Sequence, residues 1–390
     1  MGPLRGPRSM ALALCGLGAC GARTGIDRED FAPWGIDSGL EGRPVPLDGS
    51  IDRALGRPPP LEADCDGGPL PSPRSVQSVM APTRLSPMVL HDPTRGRALV
   101  LGGLPSSGRS TREVYAVSTA DGQSRPLGSS PMELTLFTGL AWIDPPRAAI
   151  VVGGTLLGGM WTSRVLRVQV QDDALQFATA GAHPGGPCSG VTAVFDPARR
   201  AVIVHGGQGI DTADPQPFST TWRVRLDRDT TRWEVLLPAG QSPPAANARV
   251  AGVDPRTGAV VMLGGSTREG FDRSVWSLSA GDRPAWTRLD GAADVLPRSG
   301  DALEWDPLGC GFVVVGGRCA DQVWLVRPEG RGVREALLGT MRMDATTAGL
   351  GRLGAGVVFD VGRRSLVTIA GTDCQTSGFA VASNAVIALR

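Results

Sequence analysis

The stretch "AVVMLGGS" at 259–266 is an apolar run closed by two glycines, and the chain writes it again and again. Close copies are "ALVLGGL" at 98–104, "AIVVGGT" at 149–155, "AVIVHGGQ" at 201–208 and "FVVVGGR" at 312–318, with a variant "LVTIAGT" at 366–372. The first glycines of the pairs are Gly102, Gly153, Gly206, Gly264 and Gly316, and Ala370 takes the sixth slot. The spacings are therefore 51, 53, 58, 52 and 54 residues. A unit of that size cannot bury its own apolar face, so such a period predicts an array in which neighbouring units cover one another.

An Asp precedes each glycine slot by nine or ten residues: Asp92, Asp144, Asp196, Asp254, Asp306 and Asp360. Pro follows the first five. Asp hydrogen-bonds nearby backbone and Pro presets φ, so each unit reads strand, turn, strand, glycine pair, loop, third strand. Third strands are expected at 114–117, 165–168, 221–224, 275–278, 323–326 and 385–389, and the clearest fourth strands at 232–237 and 285–289. Gly 54 and Pro 32 make about 22 % of the 390 residues, which favours tight turns over long helices.

Repeats near this length, with a double glycine and a downstream aromatic, resemble kelch repeats of the galactose-oxidase-like β-propellers. The likeness covers about 75–390 and is densest at "LPRSGDALEWDP", 296–307. It implies an all-β fold: a six-bladed kelch-like propeller with four-stranded blades. The sixth unit stops after its third strand, and "RSVQSVMA" at 74–81 stands where fourth strands stand elsewhere. The N-terminal strand is thus expected to close the last blade. A seventh blade is the alternative, but 21–72 lacks the glycine pair and the alternation.

The chain starts with Arg5 and Arg8, then the apolar "MALALCGLGA" at 10–19, then "LGAC" at 17–20. This order resembles a bacterial lipoprotein signal, with 1–19 removed and lipid on Cys20; Met10 is a second possible start. Cleavage near Ala22 is the competing reading. Gly21 follows the Cys, and no Asp stands there to signal inner-membrane retention in that family. The resemblance therefore implies an outer-membrane lipoprotein facing the periplasm or the cell surface. Residues 20–72 include "GRPPPLEADCDGGPLPSP" and read as a flexible tether, leaving 73–390 for the propeller.

Galactose oxidase's copper site needs two Tyr, and this chain has one, Tyr115; a sialidase-type Asp box is missing too. No cofactor or metal and no catalysis is expected. The net charge of +1 gives no footprint for nucleic acid. His91 and His205 stand in apolar slots and read as core residues, although His183, Cys188 and His205 share the third unit and carry donor types that suit zinc or copper. Sorting the exported cysteines by face pairs Cys319 with Cys374 and Cys65 with Cys310, leaving Cys188 as a buried free thiol.

Arg84, Arg298 and Arg352 each stand eight residues before a turn Asp, where they would ring one channel mouth. Kelch domains that bind acidic peptides use arginines on such a face, and Arg suits bidentate carboxylate recognition. Salt bridges to neighbours such as Asp301 are the plainer reading. The long loop at 208–221 adds Asp211, Asp214 and Phe218 as binding candidates; Trp222, Trp276 and Trp324 read as blade packing. The expected function is a lipid-anchored envelope module that binds a protein or glycan without catalysis. An envelope enzyme with an unrecognised site on the glycine face and a structural scaffold are the alternatives.

Overall fold

The computed structural model describes residues 73–79, 86–103, 112–143, 147–156, 159–171, 173–209, 216–226, 231–291, 301–316, 322–340, 352–353, 356–363, 365–369, 372–373 and 384–389. The fold is an all-β propeller of antiparallel sheets; among the described residues a 3-10 turn at Pro93–Arg95 is the helical element.

After β1 (Pro73–Val79), the first blade is β2 (Met88–Asp92), β3 (Arg97–Leu101), β4 (Glu113–Ser118) and β5 (Ser124–Ser129). The second is β6 (Gly139–Ile143), β7 (Ala148–Val152), β8 (Arg164–Gln171) and β9 (Ala174–Ala182). Beyond β10 (Cys188–Ser189), the third holds β11 (Thr192–Asp196), β12 (Ala201–His205), β15 (Thr221–Leu226) and β16 (Thr231–Leu236). The short β13 (Gln208–Gly209) and β14 (Gln216–Pro217) pair beside it with β10. The fourth is β17 (Val250–Asp254), β18 (Ala259–Leu263), β19 (Val275–Leu278) and β20 (Trp286–Leu289). The fifth is β21 (Asp301–Asp306), β22 (Gly311–Gly316), β23 (Gln322–Glu329) and β24 (Gly332–Thr340). The remaining strands are β25 (Arg352–Leu353), β26 (Gly356–Asp360), β27 (Ser365–Ile369), β28 (Thr372–Asp373) and β29 (Asn384–Leu389).

The repeat count predicts six blades, and the structure has five. Five blades are complete meanders, each drawn from one contiguous run. Among the described residues the last repeat makes no such blade: it contributes three strands to its four-stranded sheet, while β25 and β28 pair apart. Its sheet has the order β1–β29–β27–β26, with the N-terminal strand antiparallel to β29 (Val76 opposite Ile387).

The repeated apolar phrase is the second strand of each sheet. All five residues of β3, β7, β12, β18 and β27 are buried. A strand covered on both faces reads as a continuous apolar run, because neither side meets water. Apolar clusters lie between successive sheets. Leu99 and Leu101 meet Ala149 and Val151 in one of them, and Ile203 meets Val260 and Met262 in another. Val358 and Val367 meet Ala98 and Val100, which joins the last sheet to the first.

Register corrects one turn residue. Asp92 stands opposite Arg97, and Asp196, Asp254, Asp306 and Asp360 hold the same hairpin position. In the second blade that position belongs to Ile143, opposite Ala148. Asp144, one residue later, lies outside the described residues.

Candidate functional site

The two faces of the propeller are built differently, and the glycine pairs make the first. Gly206 and Gly207 have φ of 63° and 98°, Gly153 and Gly154 63° and 102°. Such values suit glycine. Space excludes other residues too: a Cβ on Gly206 would lie 2.5 Å from the Ala246 carbonyl oxygen, and one on Gly153 2.5 Å from Cys188 Sγ. The second glycine donates its N–H to the neighbouring blade, Gly154 to Cys188 O and Gly207 to Ala246 O, both at 2.8 Å. These two pairs are therefore joints between blades.

That joint bears on the proposed arginine ring. Arg84 and Arg298 lie outside the described residues. The backbone of Arg352 lies in β25, opposite Asp373. In the second, third and fourth blades the same register position holds Thr135, Cys188 and Ala246, all buried: Thr135 against its own blade's glycine pair, Cys188 and Ala246 beneath a neighbour's. Asp211 and Asp214 also lie outside the described residues. Phe218 is half-buried and stacks on His183 at 6.2 Å between ring centroids. It packs with Trp222 and Trp233 against the cluster between the second and third blades. Trp276 and Trp324 likewise pack between blades.

The histidines sit in that packing. His183 accepts the Gly185 N–H at Nδ1 (3.2 Å), with Trp222 and Trp233 edge-on. Burial lowers its pKa. His205 shares a hydrogen bond with Thr221 Oγ1 (3.0 Å), and burial, aided by the charge of Arg249, lowers its pKa to about 3. His91 is lowered by burial, against the pull of Asp360 and Asp92. Cys188 is a buried free thiol whose pKa burial raises to about 12. Among the described residues no three His, Cys, Asp or Glu side chains gather as metal ligands. Cys310 is disulfide-bonded. Cys20, Cys65, Cys319 and Cys374 lie outside the described residues.

The opposite face is built on the turn aspartates. Asp196 accepts the N–H groups of Ala198 and Arg199 at Oδ1 (2.9 and 3.1 Å) and pairs with the Arg199 guanidinium at Oδ2. Arg199 then donates to Ser279 O of the next blade. Arg256 repeats the device, joining Asp254 (2.7 Å) to Pro328 O (3.0 Å). Asp92 differs, because the second blade has Ile143 in the Asp position. Arg147 of that blade crosses back to Asp92 Oδ2 at 2.5 Å, and Arg97 and Thr94 also donate to Asp92 (2.9 and 2.8 Å).

Beside Asp92 this face opens into a pocket of about 580 Å³ between the hairpins of the first and second blades. Arg95 comes from the 3-10 turn, Arg97 from the start of β3, Arg125 from β5, and Asp173 from the tip between β8 and β9. Arg125 Nη2 lies 3.1 Å from both Asp173 oxygens, Arg95 lies 3.5 Å away, and Arg97 also donates to Asp173. Hydrogen bonds from Arg97 and Arg125 hold the Asp173 carboxyl below the usual range. Sequence reasoning passed over these residues, yet a signal existed. The register position of Arg97 holds Ala148, Ala201, Ala259, Gly311 and Ser365 elsewhere. A buried guanidinium replaces a small side chain in this blade alone.

No family model matches the chain, and no curated protein matches it.

Proposed function

We propose that the chain is a lipid-anchored envelope protein whose kelch-like propeller, with the composite sheet as its sixth blade, binds a protein or glycan without catalysis. Cys20 carries the lipid in this reading, 20–72 is the tether, and the outer membrane is the site of anchoring. The glycine pairs, turn aspartates and blade period support the kelch likeness. One observation carries the binding reading: three arginines converge on a 580 Å³ pocket at an inter-blade boundary. Guanidinium groups that converge on one opening suit a ligand carrying a carboxylate. The full chain, displayed on glycan and peptide arrays beside Arg125→Ala, tests it. Specific binding by wild type that weakens in the variant is expected. No ligand above background overturns the binding reading as a whole, and equal binding by both proteins overturns it for this pocket.

A further inference from the structure

We propose that Arg95, Arg97 and Arg125 form a carboxylate-binding subsite for an acidic saccharide unit, and that Asp173 fills it from within the chain until a ligand carboxylate displaces it. This deepens the binding reading above and rests on it for the pocket's role.

Arg97 is the anchor. Its side chain is only 6 % exposed, a costly placement for a guanidinium, and the other blades manage the same strand start with Ala, Gly or Ser. Asp92 holds Nε at 2.9 Å, so the guanidinium plane is fixed, while Nη1 points away toward Asp173. A fork oriented before the ligand arrives loses little entropy on binding. Asp92 is itself committed, since Arg147 and Thr94 also donate to it.

Asp173 is the weak member. Its side chain is 57 % exposed at a hairpin tip, and Arg125 is 56 % exposed. Ion pairs so open to water are screened and readily exchanged. Arg95, Arg97 and Arg125 all meet Asp173 there, Arg97 being shared with Asp92, and among the described residues of the wall the other acid, Asp121, is bound into its own turn by the Gln123 N–H at 3.1 Å. Arg95, Arg97 and Arg125 are thus the described charged groups that face this spot in Asp173's place. What it accepts now is a planar carboxylate held by guanidinium N–H groups, and that geometry specifies the replacement. Ser118, Gln123 and Ser124 supply hydroxyl and amide groups around it, with Ala116 as the apolar patch. Such a wall suits the hydroxyls of a uronate better than a peptide's apolar flanks.

Calorimetric titration of the full chain with a short oligouronate tests this, using its neutral oligoglucose counterpart and an acidic Glu-containing peptide as contrasts. Asp173→Asn should bind the oligouronate about three- to tenfold more tightly than wild type, because the internal competitor is gone. Arg125→Gln should bind it about tenfold more weakly, and the neutral sugar should bind neither protein. Melting of Asp173→Asn within a few degrees of wild type shows that the fold survives. Equal affinity of wild type and Asp173→Asn overturns the displacement, even where the arrays show binding at this pocket. Tighter binding of the peptide than of the oligouronate overturns the saccharide assignment. Array-silent protein with a gain in Asp173→Asn defeats the wider reading and leaves the subsite standing.

Discussion

The Thr119 hydroxyl donates to the Asp360 carboxylate at 2.5 Å across 241 residues of chain, joining the first blade to the last sheet. Both residues are buried. Arg363 adds its own N–H (3.0 Å) and its guanidinium (2.8 Å) to the same carboxylate. The joint that completes the ring is therefore polar on the turn face and apolar within, where Val358 and Val367 meet Ala98 and Val100.

Thr119→Val should destabilise the propeller by about 1–3 kcal/mol, the cost of leaving a buried charged acceptor short of one donor. Burial by itself would raise the Asp360 pKa, but the bonds from Thr119 and Arg363 outweigh it and hold the carboxyl below its usual value. A depressed folded pKa gives stability that is present above the unfolded value, about 3.9, and is lost as pH falls through the folded one. Thr119→Val should therefore also show a shallower loss below about pH 4, with Thr119→Ser restoring both. Denaturant melts at pH 7 and pH 3 check this; an unchanged midpoint in Thr119→Val refutes the joint.

Gly206→Ala should be far more damaging than Gly281→Ala. Both glycines have positive φ, 63° and 93°, so both variants carry backbone strain of about 1–2 kcal/mol. Only at Gly206 does the added Cβ meet a neighbouring blade's backbone, at Ala246 O; at Gly281 it meets nothing within 4 Å. Comparable melting temperatures for the two variants would show that the pair is not an inter-blade joint.

Much of the fold was legible because two local devices, the glycine pair and the turn Asp, carry the backbone requirements of the blade and stand at fixed spacing. Register shows in a smaller sign: Asp144 stands nine residues before Gly153 where the other turn aspartates stand ten before theirs, and Ile143, at ten, holds the hairpin position. The pocket is not legible in any local stretch of the sequence. Its arginines and Asp173 come from separate hairpins, and no local motif joins residues brought together by neighbouring blades. Arg97 against Ala, Gly and Ser in the other repeats was the available clue, visible only when the repeats are compared column by column.

The anchoring proposal predicts that Cys20→Ser shifts the protein from the membrane to the soluble fraction. Each buried CH₂ of a lipid chain contributes about 0.8 kcal/mol, so its loss removes the main membrane affinity. Unchanged fractionation of the variant defeats the lipoprotein reading.

Removing 73–79 should lower the melting temperature strongly, whereas removing 21–60 should leave it nearly unchanged. The first deletion takes away β1 and leaves β29 as an open edge with unpaired backbone groups. Calorimetry of both truncations decides; equal melting temperatures count against closure by the N-terminal strand.

Glu304 supplies the last prediction. It stands opposite Val313 in β21, at a register position that Leu90, Ala141, Val194, Gly252 and Val358 hold elsewhere. The side chain keeps some exposed surface yet lies deep in the protein, and burial raises its pKa to about 8. An unfolded Glu ionises near pH 4.3, so between about 4.3 and 8 the unfolded chain has already released a proton that the folded one retains. That contribution to stability is therefore complete below about pH 4.3 and declines as pH rises through 8. Glu304→Gln keeps the shape and removes the titration. Its melting temperature should lie close to wild type at pH 5 and clearly above it at pH 9, by the equivalent of a few kcal/mol. His205 works in the other direction: lowered to about 3, it costs stability as pH falls below about 6.5, and it does so equally in both proteins. The difference between the two curves thus isolates Glu304. Parallel melting curves from pH 5 to pH 9 would show that its carboxyl ionises freely in the folded chain.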